Sequence, residues 1–290
     1  MKLDIFSHCA NDTICINDTN HVVPGGAACY CSLMARTLKF DVMLHTKFGP
    51  DFPLVDYLLK KEILIENALS EKPTTKFKLK ILASDRTLFL ENECDAINYT
   101  SLNSDSALIS PIFKEISNDT FEKIKKDANF VFLDPQGFLR RKDSENKINL
   151  EKTDLNLTGI SAIKISPDEL ECLTNQHEEA GMKVLQKKGI ENVILTNKQD
   201  ITLLSNDKIY SIVLPNLELF DTTGIGDIFS ATFCCTMIKE NDILWALSFA
   251  GGAAQAALES KQIGLEKIPS KGAIETNAYY FYNTIKFRLI

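Results

Sequence analysis

Short apolar runs recur along the chain, and most are separated by stretches of helical periodicity. LDIFSHC (3–9) is the first run and reads as a buried strand. After VVPGG (22–26), the stretch AACYCSLMARTLKF sets small and apolar residues at helical spacing, which suits a helix packed on a sheet. DVMLHTKFG (41–49) reads as the next strand, and PLVDYLLKK (53–61) as a helix opened by proline. The pattern then changes. TTKFKLKILASDRTLFLENE (74–93) alternates polar and apolar around an SDR turn, the mark of a half-exposed antiparallel hairpin. TICINDTNHVV (13–23) alternates too, and the two stretches together suggest a small sheet standing off the main body.

From residue 107 the first rhythm returns, with ALIS, NFVFLDP, AIKIS and NVILT as strands and PDELECLTN and EEAGMKVLQKKG as helical patterns between them. IYSIVLPNLELF (209–220) is strand-like, and ILWALSFAGGAAQAALES (243–260) reads as a long buried helix. Strands alternating with helices predict a mostly parallel sheet covered on both faces. The expectation is one α/β domain over 1–290, with lid strands at about 13–23 and 74–100.

Composition narrows the partners. A formal charge of −7 leaves no basic excess to neutralise nucleic-acid phosphates or an anionic membrane. The opening MKLDIFSHCANDT lacks a signal-peptide core, and no run reaches the ~18 apolar residues of a membrane helix. Eight cysteines include Cys29 with Cys31 and the adjacent Cys234 and Cys235, but no paired CxxC motifs for zinc. Free thiols in a reducing cytoplasm are the expectation.

The candidate chemistry lies in DTTGIGDIFSATF (221–233). Gly224 and Gly226 permit a sharp bend between a strand and an apolar helix, and helix N-termini present unpaired N–H groups to anions. Asp227, directly after the bend, would repel a phosphate; it suits a base that deprotonates an attacking hydroxyl. A plain helix cap is the other reading. Neither GxxxxGK[ST] nor an early GxGxxG occurs, which counts against a Walker loop and a dehydrogenase.

DTTGIGDIF closely resembles the DTTGAGDxF signature of the PfkB (ribokinase-like) carbohydrate kinase family. PGGAACYCSLMARTL, KFGPDF (47–52) and KISPDELE (164–171) resemble its diglycine, GxxGxD and KPNxxE segments, in the family's order over nearly the whole chain. The resemblance implies a three-layer α/β/α domain with a small β-sheet lid. It implies ATP and Mg²⁺ as cofactors, with a monovalent cation left open. Asp227 matches the catalytic base, and Gly224, Ile225 and Gly226 match the anion hole. Asp221 matches a structural position or one near a cation site. Asp12 matches the aspartate that grips acceptor hydroxyls, although an Asx turn is its alternative. Gly25 and Gly26 match the diglycine beneath the acceptor. Lys164, Ser166 and Thr196 fall on the nucleotide side, where Ser166 replaces an asparagine and TNKQD lacks the glycine that usually follows. Glu169 matches the glutamate that organises Mg²⁺ through water, and 250–264 matches the region flanking adenine.

GGAACYCS and LDPQGFLR (133–140) resemble segments of myo-inositol-kinase-like members, which brings Gln136 and Arg140 towards the acceptor; a surface position is the alternative for Arg140. The implied activity is phosphoryl transfer from ATP to a sugar or polyol hydroxyl. A nucleoside kinase and a noncatalytic sugar- or nucleotide-binding relative remain alternatives, and a phosphosugar acceptor would call on Arg86 or Lys80. The alternating strands, with little body beneath them, also predict a homodimer joined through the lids, the alternative being that they lie flat on the main domain and leave a monomer.

Overall fold

The computed structural model describes residues 1–16, 19–82, 85–215 and 221–289, without the side chains of 16, 81–82 and 85–86. The chain opens with β1 (Lys2–Phe6), β2 (Ala10–Ile16), β3 (Thr19–Gly25), α1 (Gly26–Thr37) and β4 (Asp41–His45). Next come α2 (Val55–Lys60), β5 (Ile63–Ile65), β6 (Lys76–Leu82), β7 (Asp85–Asn92) and β8 (Ser106–Ile109). The middle holds α3 (Asn118–Asp127), β9 (Phe130–Leu133), α4 (Gln136–Leu139), β10 (Arg140–Lys142) and β11 (Ile148–Leu150). β12 (Ala162–Ile165), α5 (Pro167–Thr174), α6 (Glu178–Lys187) and β13 (Asn192–Asn197) follow. The chain ends with β14 (Asp200–Ser205), β15 (Lys208–Val213), α7 (Ile225–Glu240), α8 (Ile243–Glu259), α9 (Lys271–Thr284) and β16 (Lys286–Leu289).

Among the described residues, ten strands form the main sheet in the order β16-β15-β14-β13-β12-β9-β8-β1-β4-β5. The strands from β13 to β5 run parallel. The edge formed by β14, β15 and β16 is antiparallel. Alternate residues of the parallel strands enter two different cores. Leu108, Phe132 and Ile194 pack with α1, α7, α8 and α9, whereas Ile109, Val131 and Val193 pack with α3, α5 and α6. Burial on both faces explains why these strands read as continuous apolar runs rather than alternating ones.

The stretch 13–23 is not one strand. It belongs to a hairpin, with β2 antiparallel to β3 and beginning earlier, at Ala10. β6 and β7 complete a four-stranded sheet in the order β3-β2-β6-β7, and the second hairpin ends at Asn92 rather than near 100. The SDR turn falls partly outside the described residues, as does 216–220 of the strand read over 209–220, where β15 ends at Val213. The small sheet turns Phe77 and Leu90 into a minor core with Ala10, Ala27, Ile112 and Phe113. All eight cysteines are free.

Candidate active site

α7 begins without a side-chain cap, because its N-cap is Gly224 at φ 80. A side chain on Gly224 would start 2.5 Å from the Tyr30 ring, so only glycine fits. The Ile225 amide leans back to Thr222 O at 3.3 Å. The Gly224, Gly226 and Asp227 amides have no partner among the described residues, leaving three donors and the positive end of the helix dipole for an anion.

Asp227 faces a cavity of about 260 Å³ beneath the small sheet. Asp12, Gln136 and Arg140 share its polar wall, and Ile14, Phe77, Leu79 and Leu88 from the sheet supply an apolar one. A larger hollow of about 600 Å³, beside Arg36, Lys60 and Leu265, gathers no such chemistry. Arg140 therefore lines this cavity rather than the open surface. Its guanidinium donates to Ile112 O at 2.9 Å and stands over the Phe77 ring. Gln136 Nε2 lies 3.5 Å from Asp227 Oδ1. Gly26, at φ +76, is pressed against His8 O and Ala10 N, where a Cβ would lie 2.7 and 2.8 Å away. Gly25 is the extended N-cap of α1 just outside the lining.

Burial pushes the Asp227 carboxyl up to about 6; Asp134 adds to the rise while Lys164 and Arg140 oppose it. Burial likewise pushes Asp12 up to about 7, against the pull of the Phe77 N–H, 3.1 Å from Oδ1, and of Arg140. Lys164 Nζ reaches Asp134 Oδ2 at 2.5 Å. Burial disfavours its charge, but Asp134, Glu169 and Asp227 override that and raise it, so it stays an ammonium.

The remaining sequence candidates sit near this centre with other partners. Ser166 caps α5: Ser166 N–H donates to Glu169 Oε2 at 2.7 Å and Glu169 N–H to Ser166 Oγ at 3.4 Å. Burial, reinforced by Asp134, raises the Glu169 carboxyl. The Thr196 hydroxyl donates to Ile165 O at 3.3 Å. Within 250–264, Gly252 is pressed against α9, where a Cβ would lie 2.7 Å from Ile274 O.

Asp134, Glu169 and Asp227 interact around Lys164, and such a surplus of buried negative charge fits a Mg²⁺ held mainly by phosphate oxygens and water. Asp134 and Glu169 are the carboxylates that would hold it; no cluster of three or more candidate metal ligands exists among the described residues. The sequence reading missed Asp134, although it lies in the quoted LDPQGFLR. It also missed Tyr30, whose buried hydroxyl has no hydrogen-bond partner among the described residues, and Lys267, which is buried against Asp221.

The family model of pfkB family carbohydrate kinases matches residues 2–270. Among solved structures, the chain is similar to a pyrophosphate-dependent kinase in the ribokinase family in complex with sulfate: 18% identity, TM-score 0.83, covering 94% of this chain and 99% of that one. A pyrophosphate-dependent myo-inositol-1 kinase converted into a myo-inositol-3 kinase is similar at 18% identity and TM-score 0.82, covering 97% and 99%. Arabidopsis thaliana ribokinase complexed with ribose and ATP is similar at 16% identity and TM-score 0.76, covering 95% and 98%. At these identities the likeness is one of fold. No curated protein matches the chain.

Proposed function

The chain belongs to the pfkB family of carbohydrate kinases, and we propose that it moves the γ-phosphate of ATP, with Mg²⁺, to a hydroxyl of a small sugar or polyol, a myo-inositol-like acceptor being favoured. The observation that carries this reading is Asp227. It lies beside an uncapped helix N-terminus and shares one cavity with Asp12 and Arg140.

Asp227 takes the proton from the acceptor hydroxyl. A carboxyl raised to about 6 is a stronger base than an ordinary one and is still ionised at neutral pH. The Gly226 and Asp227 amides meet the charge on the transferred phosphoryl group, where preorganised donors are worth most. Lys164, kept charged by Asp134, adds a cation on the same side. Mg²⁺ would supply neutralisation of the donor phosphates.

The cavity suits an uncharged ring. Its apolar wall can cover a C–H face, while Asp12, Gln136 and Arg140 meet hydroxyls at the edge. Lys80 is no phosphate ligand here: it is exposed, and its ammonium stands over the Phe89 ring, 5.0 Å from the centroid. The Arg86 side chain lies outside the described residues.

A homodimer through the lids remains part of the proposal on a narrower ground. Phe77 and Leu90 are already covered within the chain, and the β7 edge bonds Asn146 O through Leu90 N, so the β3 edge is left to pair. No helix among the described residues is long and apolar enough to cross a membrane, and a cytoplasmic setting is proposed with the function.

An acceptor screen of polyols, sugars and nucleosides, run with Mg²⁺ and either ATP or pyrophosphate, tests the reading. Acceptor-dependent ADP release with a polyol or sugar is expected. Turnover with nucleosides alone would move the acceptor class, turnover with pyrophosphate alone would change the donor, and acceptor binding without any turnover would mark a noncatalytic relative.

A further inference from the structure

An ammonium fills the cradle beneath the glycine turn. Lys267, in the 3₁₀ turn Gly264–Lys267, has a fully buried side chain. Its Nζ lies 2.5 Å from Asp221 Oδ2, 3.0 Å from Asp221 O and 2.9 Å from Thr223 O. A lysine has three N–H donors, and three oxygens of the described residues stand within reach of them. Asp221 has further bonds: Oδ1 accepts Thr223 N–H at 2.8 Å, and Oδ2 also accepts Gly264 N–H at 3.4 Å. Burial pushes the Asp221 carboxyl up, but the bonds from Lys267 and Thr223 outweigh it and hold the group below its ordinary value.

One carboxylate and two carbonyl oxygens around a single positive charge are the donors that a hard cation selects. The resemblance left a monovalent cation open near Asp221, and this cradle does not fit one. Its oxygens already face an ammonium, and a second cation would have to share those oxygens with it and would meet its repulsion. We propose that Lys267 is a tethered replacement for a monovalent cation: it locks 221–223, and through them the amides of the anion hole, so that neither K⁺ nor Na⁺ is bound here or needed for turnover.

Lys267 is thus a positioning residue. It also ties the turn to the small sheet, because Gly264, three residues before it, packs on Val23 of β3, where a Cβ would lie 2.9 Å from the Val23 side chain. The catalytic half of this inference rests on the kinase reading, whereas the binding half does not.

The test is a cation series of KCl, NaCl and tetramethylammonium chloride at equal ionic strength, read by thermal unfolding and by kcat. An ion that binds only the folded state raises Tm by mass action, so the wild-type Tm should agree across the three salts within about 1 °C and kcat within about twofold. Lys267→Ala should lose turnover through kcat more than through the acceptor KM. It should also acquire a saturable response to K⁺ or methylammonium in Tm, with kcat recovering at least ~10-fold, the scale of removing a small misplacement of catalytic groups. A saturable rise of the wild-type Tm or kcat with K⁺ would overturn the proposal, as would a folded Lys267→Ala protein that ignores every small cation. If that variant fails to fold, the wild-type series still decides the matter. If no acceptor is ever phosphorylated, the kinase reading falls while the Tm series continues to judge the cradle.

Discussion

The Lys164 ammonium stands 2.9 Å from the point where a side chain on Gly226 would begin. The pair brings a buried cation against the first turn of α7, beside the free amides and within reach of the Asp227 charge. Asp134 holds Lys164 in that place from the end of the neighbouring strand β9. The proposed anion site is therefore built from a glycine turn on one element and an ion pair carried by two others.

The two glycines should respond differently to alanine. At Gly224 a side chain meets the Tyr30 ring at 2.5 Å and positive φ together, so Gly224→Ala should cost roughly 1–3 kcal/mol of stability along with activity. At Gly226 only the far end of Lys164 is in the way, so Gly226→Ala should keep the wild-type Tm and lose kcat as the ammonium is displaced. Thermal unfolding alongside steady-state kinetics separates them; equal loss of Tm in both would remove Lys164 from the anion site.

Asp227→Asn should lower kcat by at least ~10²-fold, the scale of losing a positioned base, with donor affinity nearly unchanged. Single-turnover rates and donor titration check this. Wild-type kcat in the Asn variant would reduce Asp227 to a helix cap.

Turnover should rise as pH climbs through the window of about 6 to about 7, where Asp227 and then Asp12 lose their protons. Stability should move the other way. The unfolded chain releases these protons near 3.8 and the folded chain near 6 and 7, so the folded state holds more protons in between and loses stability as pH rises. A kcat/KM profile from pH 4.5 to 8.5, with urea unfolding at the same points, reads both. An ascending limb near 4 would contradict the burial of both groups.

Asp12→Ala should raise the acceptor KM well above any change in the donor KM, since Asp12 lines the cavity under the small sheet and its Oδ1 is tied to Phe77 N–H of β6. Equal effects on the two substrates would place Asp12 in the architecture of the sheet instead.

Sedimentation at micromolar concentration should give twice the chain mass of 32.5 kDa if the β3 edges pair between two chains. A mass of 32.5 kDa, unchanged with acceptor and donor, would leave the small sheet as a lid of the monomer alone.

Periodicity and spacing were enough to place the helix over 243–259, the strands β8, β9, β12 and β13, the glycine turn, and Asp227 at the head of its helix, but not the short pair β10 and β11. Those features depend on which faces are buried over a few residues and on where the backbone must bend, and neighbouring residues carry that information. Alternation also marked both hairpins of the small sheet, but it placed a single strand over 13–23, because alternation persists through a turn whose two arms bury the same face.

The ion pairs were beyond local reading. Lys164 and Asp134 are 30 residues apart, and Lys267 and Asp221 are 46 apart. Which of the chain's 71 charged side chains (32 basic and 39 acidic) become buried neighbours depends on strand order and on how the helices cover the sheet. The same long-range packing slides Tyr30 under Gly224, turns Arg140 into the cavity, and fills the cradle at Asp221 with an ammonium. Local sequence could place Asp227 and the bend, but a charge buried far from its partner in the chain finds that partner only when the sheet has assembled.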